Sequence, residues 1–406
     1  MDTTISNTKY EFTSRAKMVC FILMAIGIAS IVAQFATGYE QVWANLLQIN
    51  FFFMAMGLCA TFFVAFQYVA RAGWSVNIIR VPEAMMTWLW IAMPLMLIII
   101  VGGGTHIYHW MHEGITEKMI NGNPNPEYDS IIAGKSAYLN KPFFYSRLVA
   151  YLLIWCGAAF YLRKFSIAED TEGGTTNYFK ATKIAIFFIV LFAVTSSTAA
   201  WDIMMSIDVH WFSTMYGWYT FAGMFITALT AMALWLVYLK SKGYMEEVTE
   251  SHLQDVGKFM FAFSIFWTYL WFAQFMLQWY ANLPEEIVYY RTRFDYYRWP
   301  FWIAFFLNFI FPFLILMTRD AKRKFFVIIF AGTIILIGHW LDNFLMVIPG
   351  VLINHGSHDW HIGIYEIGTT LGFAGGFMYM VHSKLASAPL LRKNHPMLVE
   401  SMHHAI

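Results

Sequence analysis

The chain has 406 residues, of which 59% are hydrophobic, 19% aromatic and only 13% charged. Soluble domains average roughly 25% charged residues, so a string of soluble domains is excluded, and a formal net charge of +1 leaves no basic surface for nucleic acid. Cys20, Cys59 and Cys156 stand far apart in apolar stretches, with no C-x-x-C, zinc or haem-attachment spacing. The sequence therefore provides for no haem, iron–sulfur cluster or metal on this chain.

Residues 41–70, 84–112, 209–239 and 259–284 contain no Asp, Glu, Lys or Arg. Each exceeds the ~20 apolar residues that cross a bilayer as a helix, which predicts an all-α integral membrane protein. Ten spans are expected, near 18–36, 46–70, 84–110, 143–163, 180–201, 211–239, 257–281, 299–318, 325–348 and 361–383. A polar start over residues 1–17 leads into span one without a small-residue cleavage site, and reads as an uncleaved start. Ahead of span three, Glu83 follows Pro82 at a helix start, where a carboxylate complements the helix dipole. Pro94 and Pro312 lie inside spans and predict kinks.

Ionisable groups at membrane depth are costly and mark function by default. Span three ends GGGTHIYH, placing His106 and His109 at i, i+3 after three glycines; the pair reads as interfacial anchors or as proton acceptors. Span four opens on Arg147. Span five ends TSSTAAWD, with Thr195, Thr198 and Asp202 on one face, and Asp202 reads as a helix-end cap or a working carboxylate. Span six carries a stripe of Ser213, Tyr216, Thr220, Gly223, Thr227 and Thr230, and span seven one of Ser264, Thr268, Trp271, Gln274 and Gln278. Such stripes serve helix packing or a hydrated proton wire, whose ends would be Lys258 and Asp255 on one side and Glu285 and Glu286 on the other. Span nine contains HWLDN, putting His339, Asp342 and Asn343 within one turn, either as a packing pair or as a proton relay. Span ten holds Glu366 about 7 Å inside its end, on a helix whose Gly368, Gly372 and Gly376 favour close packing.

An even span count puts both termini on one side. That side collects 19 of the 26 Lys and Arg residues, so the positive-inside rule makes it cytoplasmic. Histidines show the reverse bias. The long outer loops are 113–142, with a turn-forming NGNPNP, and 282–298.

The string WDIMMSIDVHWFSTMYGWY over residues 201–219 resembles the loop and following span of NrfD/PsrC-type membrane subunits of bacterial alternative complex III. These complexes are quinol:cytochrome c (or high-potential electron carrier) oxidoreductases. Val209 stands where such subunits commonly carry proline. The likeness extends over the whole chain in span count, terminal sidedness and the long loop after span three. It implies two tandem four-helix bundles, spans two to five (46–201) and six to nine (211–348), flanked by spans one (18–36) and ten (361–383). It also implies quinol, of menaquinone or ubiquinone type, oxidised near the periplasmic face of the bacterial inner membrane. Electrons would pass to iron–sulfur and c-haem centres in partner chains. The implied partners are a homologous NrfD-type membrane subunit, a periplasmic iron–sulfur subunit, multihaem and monohaem cytochrome c subunits, and a terminal oxidase.

Carried onto this sequence, the resemblance makes His106, His109, Asp202 and Asp208 the quinol-side or proton-accepting groups of the first bundle. His339, Asp342 and Glu366, with Thr268, Gln274 and Lys258, become a proton path. The chain then supports quinol oxidation and proton release, with or without binding quinol itself. Two other readings stand beside this one, a stand-alone proton or solute transporter and a non-catalytic membrane anchor.

Overall fold

The computed structural model describes residues 9–405, apart from the side chain of Glu285; the first eight residues and that carboxylate, expected at one end of a polar stripe, lie outside the described residues. Among the described residues, nine helices are long and apolar enough to cross a membrane, as in a multi-pass membrane protein. They are α1 (Ser14–Ala36), α2 (Val42–Ala70), α3 (Arg80–Ile107), α4 (Lys141–Glu172), α5 (Thr176–Ile207), α6 (Tyr216–Ser241) and α7 (Glu250–Ala281), then, after the short α8 (Pro284–Asp295), α9 (Arg298–Ile315) and α10 (Phe325–Asn354). The last long helix, α11 (Ile364–Ala386), has 23 residues, but Glu366, two threonines and four glycines dilute its apolar character below that of the other nine.

Helix ends follow local chemistry. Thr13 caps α1 by accepting from the Ala16 N–H, and Asn140 caps α4 from the Phe143 N–H at 3.0 Å, with Pro142 in the first turn. Arg71 and Asn282 stop α2 and α7 in the left-handed conformation at φ 49. α4 runs to Glu172, nine residues past the expected end, and α7 also has 32 residues. At 1.5 Å per residue each is about 48 Å long, so both project beyond a hydrocarbon layer of about 30 Å. Pro312 follows a π-helical turn over Phe306–Ile310.

α2 and α6 stand at the centre, with 89% of their most apolar windows buried, against 17% for α1. α2 packs against α3, α5, α6 and α10, while α4 joins α3 to α5. On the other side α6 packs against α7 and α10, and α9 touches both α7 and α10. Leu153, Phe187, Val190 and Val194 are exposed around the outside, a surface that requires lipid or partner chains. Between 108 and 142 an antiparallel pair, Met119–Ile120 with Asn123–Pro124, turns at Asn121 and Gly122, both at positive φ; NGNPNP forms the tight turn its composition predicts.

α1 is held mainly by α11. Gly27 and Gly372 face each other so closely that a Cβ on either would collide with the backbone of the other. Apolar helices gain no hydrophobic energy from each other in lipid, and close backbone approach at small residues replaces it. Replacing Gly372 by leucine should force the pair apart, costing about 1–3 kcal/mol as other overpacking does. A lowered unfolding temperature in detergent would register this, while Gly134→Ala, at an open position, should leave it unchanged.

Candidate functional site

Among the described residues, four groups of polar side chains in this apolar body hold the candidate residues or lie near them. The first lies where α4 and α5 end away from the cation-rich face. Asp202, fully buried in a π-helical turn over Ala200–Met204, accepts from Arg147 Nε at 2.7 Å and Nη2 at 2.8 Å, and from the Tyr151 hydroxyl at 2.7 Å. The Arg147 guanidinium also lies 4.0 Å from the Tyr138 ring centre and 4.2 Å from that of Phe143. A bidentate guanidinium–carboxylate contact with a phenol beside it is strong and holds these side chains in one geometry. Among the described residues no imidazole hydrogen-bonds to it.

His106 and His109 do not share a helical face either. α3 stops at Ile107 and Tyr108 turns extended, at φ −112 and ψ 112. His106 is exposed, and its carbonyl pairs with His355 Nε2 at 2.9 Å. His109 lies 5.1 Å from His112, ring to ring, with its Nδ1 buried and unpartnered. Burial first, then repulsion from His112 and His210, lowers its affinity for a proton, against the pull of Asp129 and Glu127. Asp129 accepts from the Ile131 and Ile132 N–H groups and pairs with His210 at 2.5 Å.

The second place lies among α6, α7, α9 and α10. Asp342 accepts from the Tyr219 hydroxyl and from Trp267 Nε1 at 3.2 Å, and His339 Nδ1 is 3.8 Å away. All four side chains are buried. Toward the α8 side a cavity of about 20 Å³ opens between Asp342, Tyr219, Tyr216, Gln274, Tyr289 and Arg293, room for about one water. Arg293 spans from there to Asp208 at 3.2 Å, lying 3.3 Å over the Tyr289 ring. Gln274 Oε1 accepts from Ser213 at 3.0 Å.

In the other direction the polar atoms lose their partners. Both ring nitrogens of His339, both amide atoms of Asn308, Ser264 Oγ and Thr230 Oγ1 are buried without a hydrogen bond. Asn308 stands against Gly338, Ser264 is one turn from Trp267, and Thr230 meets Gly332. These groups descend from Asp342 toward the cation-rich end. Buried polar groups without partners call for ordered water. Thr268 instead donates to its own helix, to the Ser264 carbonyl at 2.8 Å. Lys258 is exposed and pairs with Asp255 at 2.8 Å, apart from this column.

Glu366 belongs to a third network. It caps its own helix by accepting from the Gly363 N–H at 2.7 Å, and it accepts from Asn45 at 2.7 Å and Tyr39 at 3.0 Å. Asn45 continues to Gln34, and Gln34 to Thr369. This set ties α1 and α2 to α11 and, through Thr370, to Trp340 on α10, but among the described residues it makes no hydrogen bond to His339 or Asp342.

The fourth place has only one member singled out by the sequence, Glu83. At the cation-rich end Arg80 pairs with Glu83 at 2.6 Å and with Asp170, while Ser166 bonds both Arg80 and Glu83. Arg392, from beyond α11, inserts to meet Glu169 at 2.6 Å and the Tyr68 hydroxyl at 2.8 Å, with Glu83 at 3.8 Å. Burial, then Arg392 and Arg80, push neighbouring His395 down to about 3. The spacing of Arg80 and Glu83 was a visible signal; the approach of Arg392 had none.

Removing one partner of a buried ion pair strands the other, at a cost of about 3–5 kcal/mol. Arg147→Ala should therefore destabilise the protein by that order, and pairing it with Asp202→Leu should recover most of the loss in chemical denaturation. For His109 the folded-state proton affinity is the lowered one, so the unfolded segment binds more protons below about pH 6.5. Protection of residues 108–142 from proteolysis should be full above that pH and fall as the pH drops through it, and His109→Gln should flatten the profile.

No protein-family model matches the chain, and no curated protein matches it in sequence.

Proposed function

We propose that this chain is a proton-conducting membrane subunit of a quinol:cytochrome c (or high-potential carrier) oxidoreductase of the NrfD/PsrC type, in the bacterial inner membrane. The observation that carries the proton role is the column running from Asp342 and His339 through Asn308 and Ser264 to Thr230, buried and short of hydrogen-bond partners. The redox assignment rests on the string over residues 201–219. The pairwise contacts of α2 to α5, and of α6, α7, α9 and α10, support reading them as two four-helix bundles flanked by α1 and α11, with α11 as a tenth span.

Quinol, where it binds, supplies two electrons and two protons on oxidation. A ring needs a cavity of about 300 Å³ or more, and the space beside Asp342 is about 20 Å³. The residues there do not fit a ring. They fit water and a moving proton, so quinol is oxidised outside this column. Within it, Asp342 holds or releases a proton at its carboxylate, steadied by Tyr219 and Trp267. His339, one turn deeper, can accept at either nitrogen. Arg293 keeps positive charge at the far end of the cavity, with Asp208 balancing it. The Arg147–Asp202 pair supports the fold of the first helix group rather than proton transfer.

Asp342→Asn and Thr230→Val should lower quinol:cytochrome c turnover and proton release severalfold in the purified complex, with multihaem and iron–sulfur subunits still bound in fixed ratio. Asp202→Asn should lower stability instead. If the Asp342 and Thr230 variants turn over like the native complex, the column plays no part in catalysis. A chain that purifies alone and conducts protons in liposomes would establish the transporter reading in place of the redox one.

A further inference from the structure

At the cation-rich end, between α2, α6, α10 and α11, lies an apolar cavity of about 310 Å³. Its walls include Phe53, Met56, Trp235, Leu336 and Phe377. A wider cavity of about 630 Å³ adjoins it, sharing Tyr238, Met378 and His382, and opens between the start of α1 and the end of α6. Arg15 and Lys242 line that mouth, one from each helix end, together with Tyr10, Tyr244 and a single carboxylate, Glu11. Among the described residues neither cation has an ion-pair partner, and both are exposed. His382 marks the junction. Its Nδ1 lies 2.6 Å from the Tyr10 hydroxyl, its ring stacks on Phe12 at 4.8 Å, and Trp235 meets it edge-on at 4.7 Å.

We propose that this composite groove binds an acidic phospholipid, with an acyl chain in the apolar cavity and the phosphate between Arg15 and Lys242. The apolar part offers hydrocarbon walls and suits an alkyl chain, whose transfer from water is favourable along its whole length. The mouth carries two cations against one carboxylate, on two different helices, so an anion placed there is attracted to both walls at once. Basic pockets between helix ends are the usual places for anionic headgroups. A neutral quinone head would need a free donor or acceptor, and the polar pair at the junction, Tyr10 and His382, is already joined. A helix of a partner chain would fill the apolar part but leave both cations unsatisfied. The charged mouth is separate from the proton column, whose last member, Thr230, is next in sequence to Ala231 in the wall of the apolar cavity.

The test uses the full chain, or the complex that carries it, freed of lipid in mild detergent. Phosphatidylglycerol and phosphatidylcholine with identical chains are added, with retention read by native mass spectrometry and stability by tryptophan fluorescence on heating. Phosphatidylglycerol should be retained and should raise the unfolding temperature more than phosphatidylcholine. The double variant Arg15→Gln, Lys242→Gln, altered only at exposed positions, should bind phosphatidylglycerol about tenfold more weakly or worse, with phosphatidylcholine unaffected. Ala374→Phe, which fills the apolar cavity, should weaken both lipids. Equal binding of the two lipids, or full retention by the charge variant, would overturn the proposal. So would displacement of phosphatidylglycerol by a neutral short-chain quinone in native and charge-variant protein alike.

Discussion

A polar group in hydrocarbon finds no hydrogen bond unless the protein supplies it, and every unusual feature of this chain answers to that condition. Asp202 is held by Arg147 and Tyr151, and Glu366 by Asn45, Tyr39 and its own helix start. The carboxylates at the cation-rich end are held by Arg80 and Arg392. Most of these partners come from another segment of the chain, so the polar set also helps fix which helices are neighbours. α1, which has little else to bury, is joined to α11 by glycines and by the chain from Gln34 to Thr369.

The interior of α6, α7, α9 and α10 combines a buried carboxylate with unpartnered polar neighbours. Its carboxylate is satisfied, yet the histidine beside it and three further polar side chains are not. The first helix group meets its carboxylate with a guanidinium, which fixes the charge in place. The second meets its own with a phenol and an indole, neither of which carries a charge. The two carboxylates are alike in burial and differ in partner, a guanidinium in one helix group and two neutral donors in the other.

Charge-free runs made most helices legible, because a stretch of about twenty apolar residues matches the thickness of the hydrocarbon layer it crosses. HWLDN placed His339 and Asp342 together correctly, since residues three apart on one helix meet without help from the rest of the fold. Contacts between distant segments were not legible. Arg147 and Asp202 are 55 positions apart, and only their shared depth at the ends of two spans hinted at a pair. Glu366 finds Asn45 across 321 positions. His106 and His109 were expected on one face because the helix was expected to continue; Tyr108 breaks it. Asn308 carried no signal in an aromatic run, and its importance appears only once α9 is laid against Gly338.

Arg392 has a consequence for how the molecule is made. During synthesis α3 and α4 enter the membrane with Glu83, Glu169 and Asp170 facing only Arg80 and Arg163. Arg392 leaves the ribosome more than 200 residues later. Until it docks, the ends of α2, α3 and α4 hold an excess of negative charge that only water can screen, and that face of the protein stays open. The contacts of Arg392 with Glu169 and Glu83 can therefore form only after the segment beyond α11 has been made.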